Sequence, residues 1–354
     1  MKFLLYGANG YTAQLIMQYA SDFGLEPILA GRSEAKIKPL AEGHGLEYRI
    51  FGLDDPKRIG QMLNDIRVVV HAAGPFIHTA KPMMEACIGT QTHYLDITGE
   101  IEVFELGASL DERAKEAGVM IMPGTGFDVV PTDCLALHLK NLLPEATELE
   151  LAFAPVGGRA SQGTAKTMVE KLGKKGAIRR NGVLEAVPLG HEGKMVPFAD
   201  KSRFVMAIPW GDVATAYYST GIPNITVFTA TSRKNYRYLQ YQHLYNWLLR
   251  FSFVKNYIKK RIDKQPAGPN EEQRKKAKSE IWGRVTNAKG EQRTATLTTP
   301  NGYTLTALTT LLIVQKVLTG NAPIGYQTPA KAYGADLVLE VQGVIRRPVH
   351  RTTV

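Results

Sequence analysis

The 354 residues suffice for two domains of ordinary size, and their 44% hydrophobic and 21% charged content excludes a disordered, fibrous or disulfide-stapled chain. The net charge of +10 is unevenly divided: residues 1–130 hold 11 Lys and Arg against 17 Asp and Glu, whereas residues 131–354 hold 32 against 16. That asymmetry, with no helix-turn-helix, zinc-finger or RNA-binding signature, argues against a nucleic-acid binder and leaves an anionic ligand or membrane surface for the basic half.

In chain order, Lys2 to Tyr6 is a short apolar strand, Gly7 to Ala13 a turn, and Tyr11 to Ala20 a segment of helical spacing. Pro27 to Ala30 is a second strand and Glu34 to Glu42 a second helix. Tyr48 to Phe51, Val68 to His71, His93 to Ile97 and Val119 to Met122 are four more strands separated by helix-length segments. Such alternation predicts an α/β fold, a Rossmann-type doubly wound parallel sheet whose ligands bind at the carboxyl ends of the strands. Met1 to Tyr6 runs directly into the glycine turn, so no targeting leader is expected. Cys87 and Cys134 lie in apolar helical segments without metal-ligand spacing, which fits reduced core residues, a cytoplasmic location and no metal site.

The turn Gly7-Ala8-Asn9-Gly10-Tyr11-Thr12-Ala13 places small residues where a backbone must turn tightly and approach a pyrophosphate, with the amides of the next helix facing it. After the second strand, Arg32 and Ser33 stand where an NAD site has a carboxylate, so a 2′-phosphate and NADP are favoured; the alternative for Ser33 is a helix cap. Asp54, in Leu53-Asp54-Asp55, is a candidate contact for adenine or part of a helix start before Pro56. Ala73, Gly74, Pro75 and Phe76 end the fourth strand, where small residues let ribose and nicotinamide lie against backbone. His71, continuous with Val68-Val69-Val70, is expected to be packed core. Gly124, Gly126 and Phe127 follow the sixth strand, with Asp128 either framing the reaction site or capping a helix. Hydride transfer needs a positioned cofactor and, for many substrates, one proton donor; the candidates are Asp128, Tyr94 and Glu100.

These motifs occur in one order with His93-Tyr94-Leu95-Asp96-Ile97-Thr98-Gly99-Glu100 and Gly124-Thr125-Gly126-Phe127-Asp128-Val129-Val130-Pro131-Thr132-Asp133. Together they resemble the saccharopine dehydrogenase-like oxidoreductases, with the trans-acting enoyl reductases as the nearest branch. Ser161-Gln162-Gly163-Thr164 is similar to a serine-glycine-glycine-threonine segment of that group, with Gln162 in place of a glycine. Gly268-Pro269 through Arg274, Pro300-Asn301-Gly302-Tyr303 and Thr328-Pro329-Ala330 continue the match, which thins between about 180 and 265. The resemblance implies NADP-dependent hydride transfer and three parts: a Rossmann domain over 1–130, an α+β substrate or dimerisation domain with a mixed or antiparallel sheet over 131–320, and a segment, 321–354, returning to the first domain. It does not imply a particular substrate.

Farther on, Ser161 to Thr164 opens a helix over Ala165 to Leu172, either an anion-binding terminus or an N-cap before a basic face. Val213 to Ser232 and Thr294 to Gln315 are uncharged but Thr-rich and broken by Gly or Pro, so they read as strands and turns rather than membrane spans. Between Tyr236 and Ile262, Tyr241, Leu244, Leu248, Phe251, Val254, Ile258 and Ile262 mark one helical stripe, with Lys255, Lys259, Lys260, Arg261 and Lys264 at its far end. Such a helix can lie on a membrane interface; the alternative is a core or dimer helix, and a homodimer is expected. Val285 to Asn287 and Thr294 to Thr298 flank Lys289-Gly290 as a hairpin, and Gly302 to Gly320 and Ala330 to Val344 read as helices. The expected partner is a small-molecule or lipid-like substrate. The function expected is an NADP-dependent reductase acting on a carbonyl, imine or enoyl group; the alternative is a catalytically inactive nucleotide-binding membrane or scaffold protein.

Overall fold

The computed structural model describes residues 1–171, 174–241 and 251–353. The chain divides into two compact units, Met1–Val130 with Tyr303–Tyr333, and Pro131–Gly302 with Gly334–Val354.

The first unit begins β1 (Lys2–Tyr6), α1 (Tyr11–Tyr19), β2 (Glu26–Gly31), α2 (Glu34–His44), β3 (Tyr48–Ile50) and α3 (Pro56–Leu63). It continues with β4 (Val68–His71), α4 (Phe76–Gly89), β5 (His93–Asp96), α5 (Ile101–Ser109), α6 (Asp111–Glu116) and β6 (Met120–Met122). The strands are parallel in the order β3-β2-β1-β4-β5-β6, so the chain reverses direction across the sheet between β1 and β4. The runs of β1, β4 and β6 are apolar because both sides of these strands are covered, whereas β3 at the sheet edge is partly exposed. Leu4 and Tyr6 pack on one side with Ile28, Val69, Tyr94 and Met83, and the alternating Phe3 and Leu5 are themselves fully buried. Local chemistry sets the ends: Gly45, at φ 64°, stops α2 in a left-handed cap, and Asp55 caps α3 by accepting from the Lys57 and Arg58 amides ahead of Pro56.

The second unit holds α7 (Val130–Leu142), β7 (Ala146–Val156), α8 (Gln162–Lys171), β8 (Gly176–Arg180), β9 (Val183–Val187), β10 (Gly193–Pro197) and β11 (Ser202–Ala207). Then come α9 (Asp212–Thr220), β12 (Asn224–Ala230), α10 (Arg233–Gln240), α11 (Ser252–Ile262), α12 (Glu271–Lys276), β13 (Lys278–Asn287) and β14 (Glu291–Pro300). Its mixed sheet runs β10-β11-β12-β7-β13-β14, parallel only between β12 and β7, with β8 and β9 as a side hairpin on β12. Gly283 makes room for α7, since a Cβ there would lie 2.9 Å from Leu139 and 3.1 Å from Leu135. On the other face, Trp282 packs with Ala152, Ala154, Val205 and Phe228.

The last elements are α13 (Gly302–Leu318), β15 (Gly325–Tyr326), α14 (Pro329–Tyr333) and β16 (Ile345–Thr353). β15 adds a seventh parallel strand beside β6, whereas β16 pairs with β14 in the second unit.

Several expectations are corrected here. The return to the first unit begins at Tyr303 rather than 321 and ends at Tyr333; Gln315 donates to the Phe23 carbonyl at 2.9 Å. The helix expected over Ala330–Val344 stops at Tyr333, because Gly334 (φ 85°) and Gly343 (φ 88°) adopt left-handed backbone that helix cannot continue through. Val213–Ser232 is not all strand and turn: Asp212–Thr220 is helical, ended by Gly221 at φ 70°, before β12. The single helix expected over 236–262 is interrupted, since α10 ends at Gln240 and Phe251 is extended (ψ 133°) before α11. Leu244 and Leu248 lie outside the described residues. The Lys289-Gly290 hairpin forms with Gly290 at φ 82°, and the Asn287 side chain accepts from the Lys289 and Glu291 amides at 3.0 Å each.

Candidate functional site

The residues singled out in the first 130 positions collect at the carboxyl edge of the seven-stranded sheet. At the β1 to α1 turn, Gly7 has φ 83° and sits so close to β4 that a Cβ would lie 2.8 Å from both the Ala73 nitrogen and its Cβ. The Gly7 and Ala8 amides both donate to the Ala30 carbonyl, at 2.8 and 3.1 Å, and Gly10 closes the turn on the Gly7 carbonyl at 2.9 Å. The start of α1 has no side-chain cap and no acidic residue in its first turn. Asn9 is exposed beside the half-exposed Gly10, Tyr11 and Thr12, and Tyr11 meets the edge of Tyr303 at 5.2 Å. An uncapped helix start with the positive end of its dipole toward solvent is the local chemistry that a pyrophosphate satisfies.

At the end of β2, Arg32 is exposed, and among the described residues nothing forms an ion pair or hydrogen bond with its guanidinium. Ser33 occupies the N-cap position of α2, but its hydroxyl caps nothing. Sequence alone left that helix cap open as an alternative; the helix is entered through backbone bonds from Lys36 and Ile37 to the Ser33 carbonyl. Tyr6 donates to the Phe51 carbonyl at 3.1 Å, and burial pushes its phenol up to about 12, with the nearby Arg32 charge opposing and Asp54 adding to the shift. Arg32 and Asp54 therefore both lie within electrostatic reach of one hydroxyl. Asp54 is exposed, with its carboxylate folded over Gly52, while the helix start before Pro56 is capped by Asp55 instead. The turn, Arg32 and Ser33 thus fit a dinucleotide carrying an extra phosphate.

Beyond β4, Ala73 touches the first glycine turn, and Gly74 and Pro75 lead into Phe76 at the start of α4. His71 is fully buried, its Nε2 3.0 Å from the Thr79 hydroxyl, and burial pushes its pKa down to about 3, so it is a neutral core residue. Glu100 reaches back from the far end of the β5 loop to accept from the Phe76 amide (3.0 Å) and the Ile77 amide (2.8 Å). Its two oxygens close the start of α4, a role for a carboxylate that the dipole favours and that differs from proton donation.

Tyr94 and Asp96 share a side of β5, as their spacing predicts, and the fully buried Tyr94 hydroxyl donates to Asp96 Oδ2 at 2.7 Å. Asp96 Oδ1 accepts from Thr98 N (2.9 Å) and Gly124 N (2.8 Å). Burial nevertheless outweighs these bonds and raises the Asp96 carboxyl to about 7; it also pushes the Tyr94 phenol well above its ordinary value. Tyr94 is thus committed to a buried carboxylate.

Gly124 is at φ 78°, with Phe104 where a side chain would stand, and Gly126 lies against Thr306. Threonines of α13 anchor this loop: the Phe127 amide donates to Thr306 Oγ1 (2.9 Å), and Thr309 Oγ1 donates to the Thr125 carbonyl (2.7 Å). The Thr310 and Thr125 hydroxyls are 3.0 Å apart. Asp128 is half-buried against Gly99, where a Cβ would fall 2.2 Å from its Oδ2. Of the three donor candidates it is the one whose carboxylate rests beside a glycine at the loop surface.

Sequence reading missed the roles of Asp96, Gly99 and Thr306, Thr309 and Thr310. The signal for the threonines was present as i, i+3, i+4 spacing on an uncharged helix.

In the second unit, Ser161 acts as the N-cap of α8, its Oγ accepting from the Thr164 amide at 3.2 Å. Gln162 bonds to the Asp263 and Gln265 carbonyls, and Lys166 pairs with Asp263 at 2.5 Å. In α11, which packs against α8, Val254 and Ile258 are half-buried and Ile262 is buried, while Tyr257 is exposed beneath the Arg261 guanidinium at 5.1 Å. No helix among the described residues is long and apolar enough to cross a membrane, and no group of acidic, His or Cys side chains there could hold a metal ion.

Residues 3–122 match the family model of the saccharopine dehydrogenase NADP binding domain, bearing out the resemblance read from the motifs. The chain is 28% identical over 202 residues to the saccharopine dehydrogenase-like oxidoreductase of Mus musculus, covering 50% of this chain and 47% of that protein. It is 26% identical over 211 residues to a lipid droplet localized protein of Caenorhabditis elegans, covering 53% and 50%. A candidate trans-acting enoyl reductase of Mycobacterium tuberculosis is 28% identical over 182 residues, covering 48% and 43%. The matches thus span about half the length of these relatives. In fold, the chain is similar to the apo saccharopine dehydrogenase (L-Glu forming) of Saccharomyces cerevisiae, with a TM-score of 0.68 and 13% identity over 99% of this chain and 100% of that one.

Proposed function

We propose that this protein is an NADP-dependent oxidoreductase, a reductase acting on a carbonyl, imine or enoyl group of a small, partly hydrophobic or lipid-like substrate. The observation that carries the reading is the conjunction of an uncapped α1 start with an unengaged Arg32 and Ser33 at the neighbouring strand end. The α1 amides and Thr12 would hold the pyrophosphate, Arg32 and Ser33 the 2′-phosphate, and Asp54 a polar edge of the adenosine. NADPH, when bound, supplies the hydride. The chain's own part is to exclude water and fix orientation with Ala73, Pro75, Phe76, Gly124 and Phe127, while Asp128 meets the polar group of the substrate and holds the proton it requires.

Calorimetric titration tests this. Wild type binds NADPH more tightly than NADH, and Arg32→Asp removes about ten- to a hundredfold of the NADPH affinity while sparing NADH, because a charge-assisted pair becomes a repulsion. An unchanged preference would remove the phosphate assignment. No uptake of either coenzyme would remove the whole reading.

A second reading, a nucleotide-binding protein of the same fold that works on a lipid surface without turnover, is favoured by one specific feature. Tyr238, Tyr241, Phe251 and Tyr257 are 60%, 61%, 46% and 57% exposed. They lie in a stretch, 233–264, that holds nine Lys and Arg against one Asp. Bound NADPH that no enoyl, keto or imino compound oxidises would favour it.

A further inference from the structure

We infer that Asp96 and Glu100 are positioning residues, a pair of buried carboxylates that clamps the loops after β4, β5 and β6 into one arrangement at the carboxyl edge of the first sheet. The inference deepens the oxidoreductase reading, on which its functional meaning rests, by taking two acids out of the chemistry and assigning them to the framework around it.

The geometry is specific. Glu100 is 5% exposed, and its two oxygens accept from two successive amides, Phe76 and Ile77, which join the β4 loop to the far end of the β5 loop. Asp96 is fully buried and uses one oxygen for the Thr98 and Gly124 amides, joining the β5 loop to the β6 loop, and the other for Tyr94. The Asp96 carbonyl receives the Thr125 amide at 2.7 Å and its hydroxyl at 2.9 Å, so side chain and backbone act on the same loop. The Thr98 hydroxyl accepts from the Glu100 amide at 3.1 Å and links the two carboxylates. Four backbone amides from three loops therefore depend on two side chains four residues apart. Leaving such buried donors without acceptors carries a large penalty, so the loops are held together or released together.

The titratable groups facing Asp96 are Tyr94 on its own strand, Glu100 at the end of its own loop, and neutral His71, its partner on β4. The β6 loop brings the Gly124 amide, Thr125 and the Asp128 carboxylate, which rests half-buried against Gly99 between the two acids, and α13 adds Thr310. Among the largest influences on Asp96, the one neighbouring charge is that of Glu100, which adds to the rise. The sign of its pH response follows. In the closed clamp the carboxyl is raised to about 7, whereas in an opened, hydrated loop it returns toward its ordinary value near 4. The closed form thus binds the proton more tightly, and opening becomes easier as pH rises from about 4 to 7, by up to about tenfold per unit.

Hydrogen exchange measured by mass spectrometry on the full chain tests the clamp without needing a substrate. Asp96→Leu, which removes the acceptors, is expected to speed exchange in peptides covering 97–99 and 123–126 by about tenfold or more. Glu100→Met is expected to do the same for 75–78, with peptides from β1 and β2 unchanged in both. Asp96→Asn keeps an acceptor oxygen for the two amides, so it restores protection but abolishes the extra rise between pH 4 and 7 that remains in wild type after correction for chemical exchange. Unchanged protection at Gly124 in Asp96→Leu and at Ile77 in Glu100→Met would overturn the inference; should the first variant fail to fold, the second decides alone.

The emission of bound NADPH then reports the link to the site. The acceptor-less variants are expected to change nicotinamide fluorescence while keeping NADPH affinity within about threefold, because Arg32 and the α1 turn are untouched. Exchange that behaves as described in a protein that binds no NADPH would remove the oxidoreductase reading and leave the clamp standing.

Discussion

Side chains of one chemical type take opposite roles at this sheet edge according to what surrounds them. Asp55 caps a helix, Asp96 bridges two loops, Glu100 closes the start of α4, and Asp128 rests half-buried on a glycine. The glycines differ in the same way. Gly24 and Gly7 both have positive φ, at 66° and 83°, but a Cβ at Gly24 meets nothing within 4 Å, while at Gly7 it meets the backbone of Ala72 and Ala73 below 3.0 Å. Gly24→Ala is therefore expected to cost about 1 kcal/mol, the conformational term alone, and Gly7→Ala about 3 kcal/mol or more, since a packed strand must also move. Urea midpoints of the two variants check this, and equal losses would mean that the turn is not pressed against β4. Arg32 was legible at this scale because its position after β2 and its charge suffice. The commitment of Tyr94 and Glu100 was not, because their partners lie on other segments.

Among the elements, α13 most changed the reading. Its 17 residues lack acidic side chains, and ten of them are buried, including Thr306, Thr309 and Thr310. A helix so apolar needs tertiary partners for its hydroxyls, and it finds them in the Gly124–Phe127 loop. Thr309→Val keeps the shape but leaves the Thr125 carbonyl with only the longer 3.4 Å bond from Thr310, so a loss of about 1 to 2 kcal/mol in unfolding free energy is expected. The exposed Thr319, whose hydroxyl bonds only to carbonyls of its own turn, is the control, and Thr319→Val should fall within about 0.5 kcal/mol. Comparable losses from both would show that the loop anchor carries no weight. The strands of the first unit were readable almost to the residue because their apolar runs are short and bounded by turn residues. The end of α14 was not, since only the left-handed backbone of Gly334 terminates it.

For the whole molecule, the division of charge matters more than its sum. The acidic first 130 residues carry the dinucleotide-binding motifs, and the basic remainder carries the exposed aromatics around α10 and α11. The apolar side of α11 is turned inward, so any lipid contact would rest on Tyr257 and the cations rather than on the stripe read from sequence. If that surface meets membranes, the intact protein should sediment with vesicles rich in anionic lipid and not with zwitterionic ones. Binding should fade at high salt and in a variant with Lys255, Lys259, Lys260 and Arg261 changed to Gln. Indifference to those four charges would remove the electrostatic case.

Sequence by itself determined the order of strands, turns and helices in the first 130 residues, the glycine turn and the exposed arginine after β2. Each of these depends on neighbours a few positions away, through side-chain periodicity and the backbone freedom of glycine. Tertiary structure alone decided which acids are spent on holding the framework and which helix returns to support it. The long-range bonds responsible join residues 23 to 28 positions apart in the clamp and nearly 180 or more between α13 and the Gly124–Phe127 loop, distances over which local pattern carries no information about pairing.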